Sequence, residues 1–398
     1  MSLSRGRSHL ATPGPSIIPE RVLNAMHRPA PNIYEKEITD ITESILSDLA
    51  KFASTTGEVV IYIANGHGVW EASLVNLFSR GERIVVISNG VFGLEWASLA
   101  QKLQLNVTLL DFGFHKPLNL DNLSELLRND TSGSVKGVLC VQADTSSSVL
   151  NDIKEIKKTI SDNGHNAMLI VDSIACFACD RIEMDDWGVD VLLTACQKGL
   201  MTPPGLSYCF VGERALAESQ KKQNVSPYWD WKPRINPTVF YQRFFGTAPT
   251  HHLYGQREAL DMILEEGRDN IFQRHEILAK SVWAAVEHWS KEGPITLNVP
   301  QEKHRSRSVT TLRADGYDLS ELRSWLKNNT GLELGPPLGF AEEKFLHGKS
   351  VCRIAHMGHL NPFMIQGIIS TIELGLVVCN IPHKAGGSEK ASQTIISG

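Results

Sequence analysis

Apolar residues along the chain fall into two alternating patterns. Val59-Val60-Ile61-Tyr62-Ile63, Ile84-Val85-Val86-Ile87, Val138 to Val141, Met168-Leu169-Ile170-Val171 and Leu206 to Val211 are short apolar runs. Such runs suit strands buried on both faces. Val107 to Leu110 and Val189 to Leu193 add two more that are mostly apolar, with Thr108 and Asp190 inside them. Between them the spacing turns helical. Helices are predicted after Pro19, over Glu37 to Phe52, over Val69 to Phe78, and through Ile153, Ile156 and Ile160 to a stop near Gly164. Strands alternating with helices predict an α/β fold with a mostly parallel sheet flanked by helices.

The pattern changes after Val211. Residues 219 to 250 are polar and irregular but carry Tyr228, Trp229, Trp231, Tyr241, Phe244 and Phe245, so the segment reads as functional or interfacial. Helices over Gln256 to Glu266 and Ile271 to Trp289, broken near Gly267, lead to a smaller α+β unit. That unit has strands at Val309 to Arg313 and Cys352 to Ile354, with a helix at Asp318 to Lys327 between them. The expected division is an arm at 1–14, a large domain at 15–270, a small C-terminal domain at 271–382 and a loose polar tail at 383–398. Residues 1 to 11 are expected to be mobile or to lie on a partner subunit.

Composition narrows the possibilities. A chain of 398 residues is too long for one ordinary core. A net charge of −5 argues against nucleic acid as a main partner. No apolar run reaches membrane-spanning length, Met1 to His9 has no apolar signal core, and Ile396-Ser397-Gly398 matches no known address, so a cytoplasmic protein without membrane attachment is expected. The seven cysteines sit mostly in apolar runs and read as buried thiols. Cys176 and Cys179 form a lone CxxC with no second pair, and His251-His252, His356 and His359 lack partners at ligand spacing, so no metal site is expected.

Candidate chemistry sits at two strand ends. Met168 to Val171 ends in Asp172, and the run to Leu193 leads to Lys198, followed by the break Pro203-Pro204-Gly205. Ligands of open α/β sheets bind at the carboxyl ends of strands. A desolvated lysine loses its proton more readily, and the free amine condenses with a carbonyl. A carboxylate and a lysine so placed suit pyridoxal 5′-phosphate: the aspartate keeps the ring nitrogen protonated and the lysine holds the aldehyde. Asn65-Gly66-His67-Gly68, between a strand and a helix, can offer backbone N–H groups to a phosphate; its spacing is not that of a dinucleotide fingerprint.

Gln197-Lys198 with Pro203-Pro204-Gly205, Val171-Asp172-Ser173 and Arg353-Ile354-Ala355-His356-Met357-Gly358 together carry a family resemblance. From Thr12-Pro13-Gly14-Pro15 to about Leu376 the chain resembles the class V, fold-type I pyridoxal phosphate aminotransferases, and among them the serine–, alanine– and aspartate–glyoxylate enzymes. The resemblance implies a homodimer with shared active sites that transaminates small amino acids with 2-oxo acids, glyoxylate being the expected acceptor. It makes Lys198 and Asp172 catalytic. It places Asn65, Gly66 and His67 at the cofactor phosphate, Phe92 against the pyridine ring, and Thr145 at the phenolic oxygen, with Gln197 beside Lys198. It sends Thr247 across the dimer to the neighbour's phosphate, and gives Gly14 and Arg353 to the substrate carboxylate. An arginine grips a carboxylate with two parallel hydrogen bonds.

The chain departs from the family pattern at Asp144 for glutamate, Ser148 for glycine, Phe244 for a tyrosine, and Pro29-Ala30-Pro31-Asn32 where relatives carry His-Arg-Ser-Pro. Two alternatives compete: a cysteine desulfurase or lyase of the same fold, and a dimeric binding protein without activity. The first calls for a stacking histidine and a loop cysteine, whereas this chain has Phe92 and no cysteine between Gly331 and Lys349. The second has no use for both Lys198 and Asp172.

Overall fold

The computed structural model of the chain describes residues 4–398. A short strand, β1 (His9–Ala11), precedes helices Glu20–Met26 and Lys36–Phe52. Then come β2 (Glu58–Ile63), β3 (Arg83–Ser88), β4 (Asn106–Asp111), β5 (Val135–Val141), β6 (Met168–Asp172), β7 (Val191–Ala195) and β8 (Leu206–Val211). These seven form one sheet in the order β2-β8-β7-β6-β5-β3-β4. Neighbours from β7 through β4 run parallel, while β8 is antiparallel to both β7 and β2.

Every residue of β6, β7 and β8 is buried, because helices cover both faces. In β2, Val59 and Ile61 enter a cluster with Ile38, Ile45 and Leu49 of the helix Lys36–Phe52. Val60 and Tyr62 enter another with Val69 and Trp70 of the helix Gly66–Leu77. That alternation is the pleat of a strand between two helical layers. The parallel arrangement brings the ends of β5, β6 and β7 to one edge of the sheet.

Gly267 (φ 88°) separates the helices Thr250–Glu266 and Arg268–Trp289, a left-handed position that favours glycine. Beyond it, β9 (Ile295–Leu297), β10 (Val309–Ala314), β11 (Leu332–Leu334) and β12 (Val351–Ala355) build the smaller unit. Strands β12, β10 and β9 form an antiparallel sheet in that order. Its Leu312, Cys352 and Ile354 share a core with Leu322 and Leu326 of the helix Leu319–Thr330 and with Ile365, Ile368 and Ile372 of the helix Pro362–Val378.

Two expectations are corrected. The tail expected to be loose contains a helix, Gly387–Ser397. Its first amides donate to the Glu373 carboxylate, which receives Gly387 N and Ser388 N at 3.1 Å each, and Gly387 lies against the Trp289 indole where a Cβ would collide. The small polar residues there make a cap and a close contact. The arm is also partly ordered on this same chain: β1 pairs in parallel with β11, and residues 1–3 lie outside the described residues.

Candidate active site

Lys198 is delivered by a turn with little freedom. After β7, the Cys196 amide donates to Leu206 O at 3.0 Å, the Thr202 amide to Cys196 O at 3.0 Å and the Met201 amide to Lys198 O at 3.1 Å. The Cys196 thiol donates to Pro203 O at 2.9 Å and its sulfur accepts the Leu206 amide at 3.2 Å. From the N-terminal segment, the Ser16 hydroxyl donates to Lys198 O at 2.7 Å and its amide to Gln197 O at 2.8 Å. The side chain points inward and Nζ donates to Pro13 O. Gly14 (φ 108°) is pressed against that ammonium, and any Cβ there would overlap it. Burial, and then the nearby Arg353, pull the lysine's pKa down to about 8.

Asp172 ends β6, next to β7 in the sheet. Its Oδ1 accepts the Ile174 amide at 2.7 Å and its Oδ2 accepts the Trp70 indole N–H at 2.8 Å. Burial raises its pKa to about 6, against the pull of those two donors. Trp70 lies one helical turn beyond His67, and this spacing put it on the same face in the sequence, although its contact with Asp172 was not read there.

A second carboxylate organises the other side. Asp144 accepts the Phe92 amide at 2.8 Å, the Gly93 amide at 3.3 Å, the Ser146 amide at 2.9 Å and the Ser146 hydroxyl at 2.6 Å. It therefore caps the helix Val91–Lys102 and fixes where Phe92 sits. Aspartate in place of the family's glutamate is accommodated at Gly90, where a Cβ would strike the carboxyl carbon.

Asn65, Gly66, His67, Trp70, Phe92, Thr145, Asp172, Gln197 and Lys198 all line one cavity of about 170 Å³. Val141, Ala143, Ile174 and Ala175 complete its wall. Gly66 and His67 open the helix Gly66–Leu77 at the cavity's edge, where first-turn amides have no intrahelical partner and favour an anion. The His67 side chain turns to Glu95, 3.1 Å away.

Arg353, from β12, approaches from the small sheet. It is 5% exposed. Its Nε donates to Pro336 O at 2.7 Å and its Nη1 to Thr145 O at 3.0 Å. Among the described residues it forms no ion pair and its Nη2 has no acceptor. Burial lowers its pKa to about 10, so it stays charged at neutral pH. A buried guanidinium served only by carbonyls is short of a carboxylate. Thr247 does not join this group: it is exposed and outside the cavity lining. Phe244, in the family's tyrosine position, is buried in the core of the large sheet.

The cysteines are free and six of the seven are buried. His251 and His252 bond to the carbonyls of Arg28 and Pro204, and His356 to Thr310 and to Arg307 O. Among the described residues no group of three or more His, Cys, Asp or Glu is placed to hold a metal, and no helix is long and apolar enough to cross a membrane.

The aminotransferase class-V family model matches residues 10–355. The chain belongs to the class-V aminotransferase family. It is 32% identical to serine–glyoxylate aminotransferase of Arabidopsis thaliana, over 98% of this chain and 96% of that one. It is 27% identical to L-aspartate–glyoxylate aminotransferase of Paracoccus denitrificans, over 96% and 94%. The crystal structure of ureidoglycine–glyoxylate aminotransferase from Bacillus subtilis superposes with a TM-score of 0.88 at 20% identity, covering both chains completely. That last likeness bears on the fold. The enzyme is a pyridoxal phosphate-dependent transferase. Its cavity fits that cofactor on its own chemistry: an anion-binding helix start, a buried carboxylate for a basic ring nitrogen, and a lysine whose pKa burial lowers to about 8.

Proposed function

We propose that this enzyme transfers the amino group of a small amino acid (serine, alanine or aspartate) to glyoxylate, giving glycine and a 2-oxo acid. The observation that carries the reading is the buried Arg353, whose guanidinium bonds only to main-chain carbonyls, beside a cavity that holds both Lys198 and Asp172. Both substrates share an α-carboxylate, and glyoxylate has little else to hold. The relatives named as serine– and aspartate–glyoxylate aminotransferases support glyoxylate as acceptor.

In this reading Lys198 Nζ, free of its proton, would hold the cofactor by its aldehyde, and the same amine is placed to move the proton at the donor's Cα. Pyridoxal phosphate, when bound, supplies the electron sink that makes that proton acidic. Asp172 would hold a proton on the ring nitrogen. The Gly66 and His67 amides would bind the phosphate, with Asn65 beside them. Phe92 would cover the ring, Thr145 would serve the phenolic oxygen, and Gln197 flanks the lysine. Arg353 grips the α-carboxylate, with the Gly14 backbone close by. The grip orients the Cα–H bond, which is positioning work.

The reading includes a two-domain subunit divided near residue 270, a homodimer and a cytoplasmic location. For the dimer, Thr247 is exposed near Val239, Tyr241 and Phe245, themselves large exposed apolar side chains, as a surface that awaits a neighbour would be. For the location, all seven cysteines are free. Borohydride reduction of the loaded enzyme and peptide mapping test the central assignment. The cofactor mass is expected on the peptide containing Lys198; its appearance on another lysine would overturn the reading.

A further inference from the structure

We propose that Trp70 is a positioning residue for Asp172: its indole N–H, 2.8 Å from Oδ2, aims the carboxylate into the cavity and favours its ionised form opposite the cofactor's ring nitrogen. The inference rests on the reading of Asp172 given above.

The bond is specific. Asp172 receives one donor on each oxygen: a main-chain amide two residues on, and an indole from a separate helix. The amide comes with the turn and would be there for any residue at position 172. The indole is supplied by side-chain choice alone. Trp70 is 1% exposed and lines the cavity. It is clamped between the His67 ring, 4.5 Å away between centroids, and the Trp96 ring, stacked at 5.6 Å with 15° between planes. Its ring therefore cannot swing, and neither can its N–H.

Burial of an indole does not by itself explain the contact. Trp96, in the same stack and fully buried, has an N–H with no partner among the described residues. The two tryptophans contribute the same apolar bulk, yet only Trp70 points its N–H at the carboxylate. The other groups that face Asp172 divide in sign. Lys198, on the turn after β7, favours the ionised form. Asp144, on the turn after β5, opposes it. Cys140 of β5 and Cys176 of the turn after β6 also face it, as thiols held neutral by burial. From the helix Gly66–Leu77, Trp70 is the donor, with the His67 ring tilted against it at 53°. A hydrogen bond to the charged form stabilises that form, and one to a charged group changes an equilibrium by roughly tenfold to a hundredfold.

Trp96 supplies the internal control. Trp70→Phe keeps an aromatic ring in the stack and deletes the N–H; Trp96→Phe makes the same change one ring away. In Trp70→Phe the acid limb of cofactor retention, followed by equilibrium dialysis against pH, is expected to move up by about one to two pH units. The kcat should fall with KM nearly unchanged, because Trp70 does not touch the substrate. Trp96→Phe should leave the acid limb in place. A coincident wild-type and Trp70→Phe limb, or equal displacement in both variants, would overturn the proposal. Should Trp70→Phe fail to fold, ¹⁵N spectra of the eight tryptophan indoles decide: one resonance must follow the acid limb in the wild type and be displaced in Asp172→Asn, and the absence of any such resonance refutes the bond. If Asp172→Asn leaves retention and rate unchanged, the reading of Asp172 itself has failed. An effect of Asp172→Asn without one of Trp70→Phe removes the tryptophan's role alone.

Discussion

Arg353→Lys separates the substrate role of this residue from a structural one. The guanidinium uses Nε on Pro336 O and Nη1 on Thr145 O, which leaves the Nη2 side for a substrate carboxylate. Lysine keeps the charge but not the planar fork, and its single nitrogen cannot serve two carbonyls and two carboxylate oxygens in the same directions. The minimum loss is one charge-assisted hydrogen bond to substrate, about 1.5–3 kcal/mol. At about 1.4 kcal/mol per decade, kcat/KM should fall by roughly tenfold to a hundredfold. Both half-reactions should suffer, since donor and acceptor share the carboxylate. The visible cofactor band should stay near normal, because Arg353 is on the substrate side. A carbonyl stranded by the change would lower the Tm, so thermal unfolding is measured in parallel. Steady-state kinetics with glyoxylate is the assay. An unchanged kcat/KM, or a fall explained wholly by lost folded protein, would refute the reasoning.

Asp172→Asn leaves one acceptor oxygen where two donors converge and removes the charge opposite the ring nitrogen. The half-reaction rate should fall by about two to three orders of magnitude with cofactor partly retained, and an unchanged stopped-flow rate would contradict it. Lys198 reacts only as the free amine, and its pKa is lowered to about 8. Cofactor capture by the apo-enzyme should therefore speed up as pH rises and level off just above 8; a rate still climbing at pH 10 would mean an ordinary lysine. If Thr247 reaches a neighbour's phosphate, dilution to monomers should weaken cofactor retention, and sedimentation of a saturated, active monomer would rule that out.

Much of this was legible in the sequence because the relevant strands are buried on both faces. Met168 to Val171 has no polar interruption, so both the strand and the carboxylate at its end could be read directly. The run that leads to Lys198 is interrupted by Asp190, and only Val191 to Leu193 is continuously apolar, which is where the strand begins. What escaped reading depends on contacts between distant segments. The helix Val91–Lys102 begins at glycine-bracketed Val91-Phe92, and its cap is Asp144 on another turn. The helix Gly387–Ser397 looks like linker by composition, but Glu373 of the preceding helix completes its N-terminus. The bond from Trp70 to Asp172 depends on how a helix is seated over the sheet, which local periodicity does not encode. Phe244 was legible as a departure, whereas its burial in the core became visible only once the chain was folded.

The central claim is amino transfer to glyoxylate, and one isotope experiment meets it directly. The enzyme, loaded with pyridoxal phosphate, is incubated with glyoxylate and, in separate reactions, ¹⁵N-labelled serine, alanine and aspartate, and the products are weighed by mass spectrometry. The account expects ¹⁵N-glycine from at least one donor, together with the matching 2-oxo acid, and none from the Lys198→Ala variant. Unlabelled glyoxylate recovered intact with every donor, or labelled glycine formed equally well without Lys198, would contradict it.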